Sequence, residues 1–273
     1  MNEQQGRRQI AVGALESLNM PKQIRSAAKT DNIMRQGPDL QKYLQEVKDR
    51  LASLAVSKPG NHYNSPTPTL GLSVPQSRAA LKAGYSFMRY APNRVLEIFD
   101  HIWKNGTYFE EMSQPVYHYE KKSLSVDEFN TISGWIEKCD NWAHSDGLSS
   151  IYARALEEMP ELVLPVLQAW NRSDNPWKRR QSVVSLLYYA RLRKKILPYE
   201  LLISMVTSLL DDDAYYVQKG VGWTIREIYN CYPEATLSFI RARLNQISAA
   251  AWQATSEKLP ADLRKKLVAQ RRS

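Results

Sequence analysis

Apolar residues recur at three- and four-residue spacing along most of this chain, which is the period of an amphipathic α-helix. Segment 39–56 shows the pattern first, with Leu40, Leu44 and Leu51 on one stripe. The spacing predicts a helix over this segment, with its apolar stripe facing a core.

Two segments near the start break the helical pattern. Residues 57–69 contain three prolines and one glycine, so a loop is expected there. Residues 1–37 are polar and lack sustained periodicity, which predicts a flexible extension ahead of one folded domain over 38–273.

Further along, one helical segment follows another, and prolines stand at or near several helix starts, where a missing N–H costs little. No strand-like alternation of useful length is present. The predicted helices are 76–85, 92–105, 107–121, 125–138, 145–158, 160–172, 176–195, 198–210, 213–231, 233–246 and 260–270.

Helices of this length in consecutive antiparallel pairs predict an all-α fold, an α-solenoid superhelix of HEAT-like repeats. Trp142, Arg180 and Trp223 stand at similar places in their helical units, 38 and 43 residues apart. That spacing is typical of HEAT and armadillo repeats, whose period is about 40–47 residues. Equivalent positions in successive repeats line one surface, so these three residues are expected on the concave face.

Segment 213–232 has two different helical faces. One is apolar and suits packing between repeats, and it consists of Val217, Val221, Thr224, Ile225, Ile228 and Tyr232. The other carries Tyr216, Lys219, Trp223 and Arg226. A tryptophan between cations, away from the apolar stripe, suggests a binding role. A role in filling a gap between repeats remains open at this point.

Composition favours an anionic partner. The chain has 37 Lys and Arg against 28 Asp and Glu, a formal charge of +9. Nucleic acid is the first candidate, and a merely basic protein is the alternative. Two cysteines, Cys139 and Cys231, fit a reducing compartment. With no apolar run near the length of a membrane span and no signal-peptide core, we expect a cytoplasmic protein without membrane contact.

Two polar segments are candidates for chemistry. In 139–150, Asp146 lies nearly opposite the apolar stripe of its helix, and Trp142 is expected in the connection before it. Asp146 could also be an ordinary helix-capping residue. In 174–181, Lys178, Arg179 and Arg180 crowd a helix N-terminus, which suits a phosphate and also an ordinary solvated turn.

Other chemistries find little support in the sequence. His62, His101, His118 and His144 lack partners at ligand spacing, so neither a metal site nor a metal cofactor is expected. No glycine-rich phosphate loop is present, and Gly220 and Gly222 are interpreted as sites of close helix packing.

Several segments resemble one family, the HEAT-like repeat DNA glycosylases, or AlkD-type DNA alkylation repair proteins. The similar segments are LGLSVPQSR (70–78), NWAHSD (141–146), PWKRR (176–180) and YVQKGVGWTIREIY (216–229). The resemblance spans roughly 38–270. It implies an all-α protein that binds alkylated duplex DNA in a basic concave cleft. It also implies excision of N3- and N7-alkylpurines without a metal or an organic cofactor.

The resemblance assigns roles to individual residues. Asp146 corresponds to the family's essential carboxylate, and Trp142 and Trp223 to the aromatic pair around the lesion deoxyribose. Arg180 corresponds to an arginine that holds the DNA backbone. Ala143-His144 departs from the family, which more often has an acidic residue after the first tryptophan.

The expected partner is double-stranded DNA containing alkylated bases, bound by a monomer that associates with the nucleoid. Beyond the resemblance, we predict phosphate contacts from Lys178, Arg179, Lys219 and Arg226. Two other functions stay open: a non-catalytic repeat protein that binds damaged or branched DNA, and a protein–protein scaffold.

Overall fold

The structure is a computed structural model that describes residues 40–55, 63 and 65–272. The predicted extension over 1–37 lies outside the described residues. Across the described ranges the chain is helical and contains no strand, as the apolar periodicity predicted. No helix in this part of the chain is long and apolar enough to cross a membrane.

The described residues contain thirteen α-helices. They are α1 (40–54), α2 (Val74–Lys82), α3 (Pro92–Asn105), α4 (Phe109–Tyr119), α5 (Val126–Ser133), α6 (Trp142–Glu158), α7 (Pro160–Trp170), α8 (Pro176–Leu187), α9 (Tyr199–Thr207), α10 (Tyr215–Cys231), α11 (Pro233–Ala242), α12 (Ala249–Thr255) and α13 (Ala261–Arg272). Three short 3₁₀ helices, Ser86–Arg89, Gly134–Lys138 and Ala190–Leu192, join them.

The helices form the two-layer α-solenoid that the sequence predicted. Helices α2, α4, α6, α8, α10 and α12 pack side by side in one layer, which we call the cleft layer. Helices α3, α5, α7, α9 and α11 pack against it from the other side as the outer layer. Apolar side chains of both layers form one continuous core.

Three local predictions were wrong. Trp142 is the first residue of α6 instead of part of the connection, because the Asn141 side chain caps the helix by accepting from the His144 N–H. The helix predicted over 176–195 ends at Leu187, since Tyr188 adopts a φ of 49°. Helix α12 was not predicted, because its short alanine-rich sequence has little apolar periodicity.

Helix α10 has the two faces that its sequence predicted. Its apolar face packs in the core, with Val217, Val221, Ile225 and Ile228 fully buried. The glycine interpretation is confirmed as well, because a Cβ on Gly222 would lie 2.1 Å from the carbonyl oxygen of Ala251 in α12. The polar face of α10 lines the cleft, where the candidate site lies.

Candidate active site

A cavity of about 530 Å³ lies on the cleft layer, where α6, α8, α10 and α12 meet. It brings together six predicted site residues from three helices, namely Trp142, Asp146, Arg180, Lys219, Trp223 and Arg226. The repeat spacing therefore does put these positions on one surface.

An ion pair between Asp146 and Arg180 lies at the wall of the cavity. Arg180 Nη2 donates to Asp146 Oδ1 at 2.6 Å. The same guanidinium donates from Nη1 to the Tyr216 carbonyl oxygen at 2.8 Å and from Nε to Ser145 Oγ at 3.1 Å. Only 4% of the Arg180 side chain is exposed, against 25% for Asp146. Arg180 thus fixes the carboxylate in place and leaves it accessible from the cleft.

The environment of Asp146 disfavours its charge. Burial raises the pKa of this carboxyl group above its ordinary value, and the charge and hydrogen bond of Arg180 only partly offset that increase. A carboxylate whose pKa is raised by burial, next to a fixed cation and open to a cavity, is a common feature of catalytic sites. The capping role considered for Asp146 is excluded, because Asn141 caps α6.

Trp223 lies within an aromatic cluster that the sequence did not predict. Its ring centroid is 5.6 Å from that of Tyr188 and 5.2 Å from that of Tyr189. The Arg226 guanidinium lies over the indole, 5.8 Å from the ring centroid. The indole Nε1 is buried without a hydrogen-bond partner in the described part of the chain. The cluster holds the ring in place at the cavity wall.

Trp142 is the more accessible of the two tryptophans that line the cavity. Its side chain is 41% exposed, which is unusual for a tryptophan and is not explained by core packing. The Tyr63 ring contacts it edge-on, with centroids 5.5 Å apart. Trp142 and Trp223 therefore line the same cavity as Asp146. Trp142 is exposed to solvent, and Trp223 is half-buried.

Helix α12 and the turn that follows it add polar residues that the sequence analysis missed. Lys219 Nζ donates to Gln253 Oε1 at 2.8 Å, and Arg226 Nη1 donates to Glu257 Oε2 at 2.6 Å. Both partners line the cavity. An anion that approached these cations would compete with Gln253 and Glu257. Because α12 itself was not predicted, no signal in its sequence could have linked these residues to the site.

Lys178 and Arg179 occupy different positions from the rest of the predicted set. Lys178 is paired with Glu137, and Arg179 donates from Nε to Asp212 at 2.5 Å. Arg179 also donates to the carbonyl oxygen of Ser173 at 3.0 Å. Neither side chain lines the cavity. The structure therefore gives these two cations roles in holding neighbouring segments together, and their predicted DNA contacts stay predictions.

His144, the second residue of the Ala143-His144 pair that departs from the family pattern, is a core residue. Its ring stacks on Phe109 with centroids 4.1 Å apart, and its Nε2 lies 3.1 Å from the Phe109 carbonyl oxygen. Burial lowers its pKa to about 4, so the ring is neutral. Within the described ranges, no group of three or more His, Cys, Asp or Glu side chains could hold a metal ion.

Gly220 allows the Arg180 side chain to pack closely against α10. A Cβ at this position would come within 3.2 Å of both Cγ and Nη1 of Arg180. An alanine would therefore require the Arg180 side chain, which holds Asp146, to shift by a few tenths of an ångström. The QKGVGWTIRE segment thus contains two close approaches, one to the catalytic candidate pair and one to α12.

The fold and the cleft define an α-solenoid repeat protein with a basic, aromatic cavity built around a buried Asp–Arg pair. Comparison with known families agrees, because the sequence model of the DNA alkylation repair enzyme family matches residues 40–259. The chain belongs to this family, whose members act in the repair of alkylated DNA.

Solved structures share the fold at low sequence identity. A predicted DNA alkylation repair enzyme from Enterococcus faecalis is 16% identical, with a TM-score of 0.59 over 71% of this chain and 89% of its own. AlkD2 from Streptococcus mutans is 15% identical, with a TM-score of 0.54 over 80% of this chain and 99% of its own. No curated protein sequence matches the chain.

Proposed function

We propose that this protein is a DNA glycosylase that hydrolyses the N-glycosidic bond of cationic alkylated purines in duplex DNA. The observation that carries the proposal is the joint placement of Asp146, Trp142 and Trp223 around one cavity, with Arg180 holding the carboxylate. Family membership supports the wider role in alkylation repair.

The proposed reaction breaks the bond between C1′ and the base nitrogen. Because an N3- or N7-alkylpurine already carries a positive charge, it leaves as a neutral base when it takes the bonding electron pair. The enzyme therefore has to stabilise the oxocarbenium-like sugar that remains. The Asp146 carboxylate at the cavity wall supplies the opposite charge there.

Water completes the hydrolysis by adding to C1′ of the sugar. The same carboxylate can accept a hydrogen bond from that water and orient it, and the proton released passes to Asp146 or to solvent. The faces of Trp142 and Trp223 add cation–π attraction to the positive sugar, on the order of 0.5–2 kcal/mol each. In this proposal Arg180 is a positioning residue, since its N–H groups hold Asp146 Oδ1 and the Tyr216 carbonyl oxygen.

Lys219 and Arg226 are proposed to bind the DNA backbone at the edge of the cavity. Lys219 is paired with Gln253 of α12 and Arg226 with Glu257 in the turn after it, so phosphate binding would exchange these two partners for phosphate oxygens. We expect strong salt dependence of DNA binding as a result.

Base release from alkylated DNA tests the proposal directly. The protein is incubated with duplex DNA that contains N3-methyladenine and N7-methylguanine, and free bases are quantified by mass spectrometry together with the abasic sites left behind. Undamaged duplex and buffer alone provide the background. Tight, salt-sensitive binding without any base release would favour the non-catalytic DNA-binding alternative, and no DNA binding would favour a scaffold.

Trp142 provides a test of the aromatic contribution. Trp142→Leu is expected to slow base release by about 2- to 30-fold, the equivalent of the cation–π attraction that is lost. Trp142→Phe, which keeps an aromatic face, should lose less. The measurement is the single-turnover rate at saturating protein. Because the side chain is 41% exposed, both variants should unfold at nearly the wild-type temperature. Equal rates for the Leu and Phe variants would contradict the aromatic role.

The pH dependence of base release tests the pairing of Asp146 with Arg180. Only the ionised carboxylate stabilises the sugar, so the rate should fall as pH drops through the pKa of Asp146, which burial raises above its ordinary value. Arg180 lowers that pKa, so Arg180→Gln should move the acidic limb to higher pH. Rates are measured in single turnover after subtraction of spontaneous release, with the melting temperature recorded at each pH. An acidic limb at the same pH in both proteins would refute the coupling.

A further inference from the structure

A second cavity, of about 600 Å³, lies next to the first on the same face of α6. Asp146 lines the first cavity, whereas Ser150 and Arg154 line the second. These three residues follow one another at four-residue steps and therefore share one helix face. Tyr188 lines the second cavity, and its ring also contacts Trp223 of the first. The two cavities are thus neighbouring parts of one cleft surface.

Cations dominate the lining of the second cavity. Arg78, Lys121, Arg154 and Arg193 line it, and Glu120 is the one carboxylate among the described lining residues. That carboxylate is taken, because Arg78 binds both of its oxygen atoms. Three positive charges consequently face the cavity without a carboxylate from its own wall.

The arginines of this cavity have donors that no acceptor among the described residues satisfies. Only 6% of the Arg193 side chain is exposed, yet its Nε and Nη1 are buried without a hydrogen-bond partner among the described residues. The nearest carboxylate oxygen, Oε2 of Glu157, is 3.7 Å from Nη1, beyond hydrogen-bond distance. Arg154 Nε is buried and unpartnered in the same way. Buried guanidinium donors of this kind are costly unless an acceptor reaches them.

Like charges add to that cost. Burial is the first cause that lowers the pKa of Arg193. The charge of Glu157 is the largest opposing effect, the charge of Arg154 lowers the pKa further, and Glu158 and Tyr188 raise it. An anion bound in the cavity beside the two guanidinium groups would offset the repulsion, and it would accept from the buried donors after a rotation of the two side chains toward the cavity. Arginine suits phosphate in this geometry, because its planar fork of N–H groups matches two phosphate oxygens.

We propose that the second cavity binds a backbone phosphate of the DNA strand that carries the lesion, through Arg154 and Arg193. This inference rests on the proposed glycosylase function for the position of the lesion at Asp146. Eight residues of α-helix separate Asp146 from Arg154, a rise of about 12 Å. One DNA strand rises about 3.4 Å per nucleotide, so for a strand that runs along α6 the phosphate lies about three to four nucleotides from the lesion. The site would fix the register of the duplex on the cleft.

Neutral phosphate substitutions test the assignment. A duplex with a single tetrahydrofuran abasic site serves as the probe, because binding can then be measured without excision. One phosphodiester at a time, on either strand, is replaced by a methylphosphonate within five nucleotides of the abasic site. Dissociation constants are measured for wild type, Arg154→Gln and Lys121→Gln, which alters an exposed residue of the same cavity. Arg172→Gln is the matched control, since Arg172 is exposed after α7 and lines neither cavity.

At one or two adjacent positions, the methylphosphonate is expected to weaken wild-type binding by about tenfold to a hundredfold. Arg154→Gln should show the same loss on the natural duplex, a salt slope smaller by about one, and no further loss at those positions. Arg172→Gln should behave like wild type. Losses that simply add at every position, for both cavity variants, would overturn the subsite.

Two further results distinguish a DNA phosphate from a free phosphate ion, and the phosphate subsite from the proposed glycosylase activity. Inorganic phosphate is titrated into wild type and Arg154→Gln by calorimetry. If Arg154 governs binding of inorganic phosphate while no DNA position is coupled to it, the cavity is a site for a free anion and the DNA assignment fails. If base release is absent but the coupling at specific positions remains, the glycosylase proposal fails and the phosphate subsite stands.

Discussion

Asp146→Asn is expected to slow base release by about 10²- to 10³-fold, the range seen when one group that stabilises a transition-state charge is removed. Asparagine keeps the size of the side chain and an oxygen that can still accept from Arg180 Nη2. What it loses is the negative charge beside the oxocarbenium-like sugar. The variant therefore tests charge stabilisation with little change in shape.

The same substitution is expected to leave the free energy of unfolding unchanged or to increase it at neutral pH. Burial raises the pKa of Asp146 in the folded protein, so the ionised carboxylate costs stability above that pKa. The cost decreases as pH falls through the folded-state pKa and is gone below the ordinary pKa of the unfolded chain. Asparagine removes the cost at every pH. If the replacement lowers the rate without lowering stability, Asp146 is kept for function although its charge costs stability.

Two measurements check this prediction together: single-turnover base release and urea-induced unfolding, both at neutral pH. Asp127→Asn is the matched control, because Asp127 is exposed in the first turn of α5 and lines neither cavity. The control should release bases at the wild-type rate. A folded Asp146→Asn variant that excised bases as fast as wild type would remove Asp146 from the mechanism.

Much of the fold could be predicted from the sequence because packing imposes a period. Helices α3, α7 and α10 have apolar stripes that must be buried, and prolines mark the starts of α3 and α7. The repeat spacing then puts Trp142, Arg180 and Trp223 on one surface. Helix α12 escapes prediction because seven residues, mostly alanine, carry too little pattern to distinguish a helix from a connection.

The contacts within the site could not be read in the same way. Arg180 and Asp146 are 34 residues apart, and only the packing of α8 against α6 brings Nη2 within 2.6 Å of Oδ1. A basic helix N-terminus is consistent with an exposed phosphate contact, which was the prediction, and equally with a buried partner for a carboxylate. Local sequence does not distinguish these cases, because charge pairing between helices depends on side-chain positions in the folded chain.

Tyr188 illustrates a second limit of sequence reasoning. Its φ of 49° ends α8 early and turns its ring onto Trp223. Side chains other than glycine rarely adopt this backbone conformation, and holding one there costs about 1–3 kcal/mol, so surrounding structure must enforce it. No residue pattern predicts such a feature. Tyr188 lines the second cavity and contacts Trp223 of the first. The junction between the two cavities could therefore not be predicted from the sequence.

Gly222→Ala is expected to destabilise the protein by at least about 2 kcal/mol, near the upper part of the range for overpacked cores. The new Cβ would lie 2.1 Å from the Ala251 carbonyl oxygen and 2.7 Å from the Ala251 Cα. These are backbone atoms of α12, so no side-chain rotation can relieve the clash. Alanine's better helix propensity, about 1 kcal/mol, is too small to offset it.

The clash also reaches the site, because α12 carries Gln253 and the turn directly after it carries Glu257. If α12 shifts away from α10, Lys219 and Arg226 lose these partners, and DNA binding should weaken along with stability. Urea-induced unfolding measures the first effect and the dissociation constant for duplex DNA the second. Gly134→Ala is the matched control, because a Cβ there meets nothing within 4 Å and its φ of −72° suits alanine. That control should be slightly stabilised, by about 0.4–1 kcal/mol. A Gly222→Ala protein as stable as the control would mean that α12 does not depend on the close approach at Gly222.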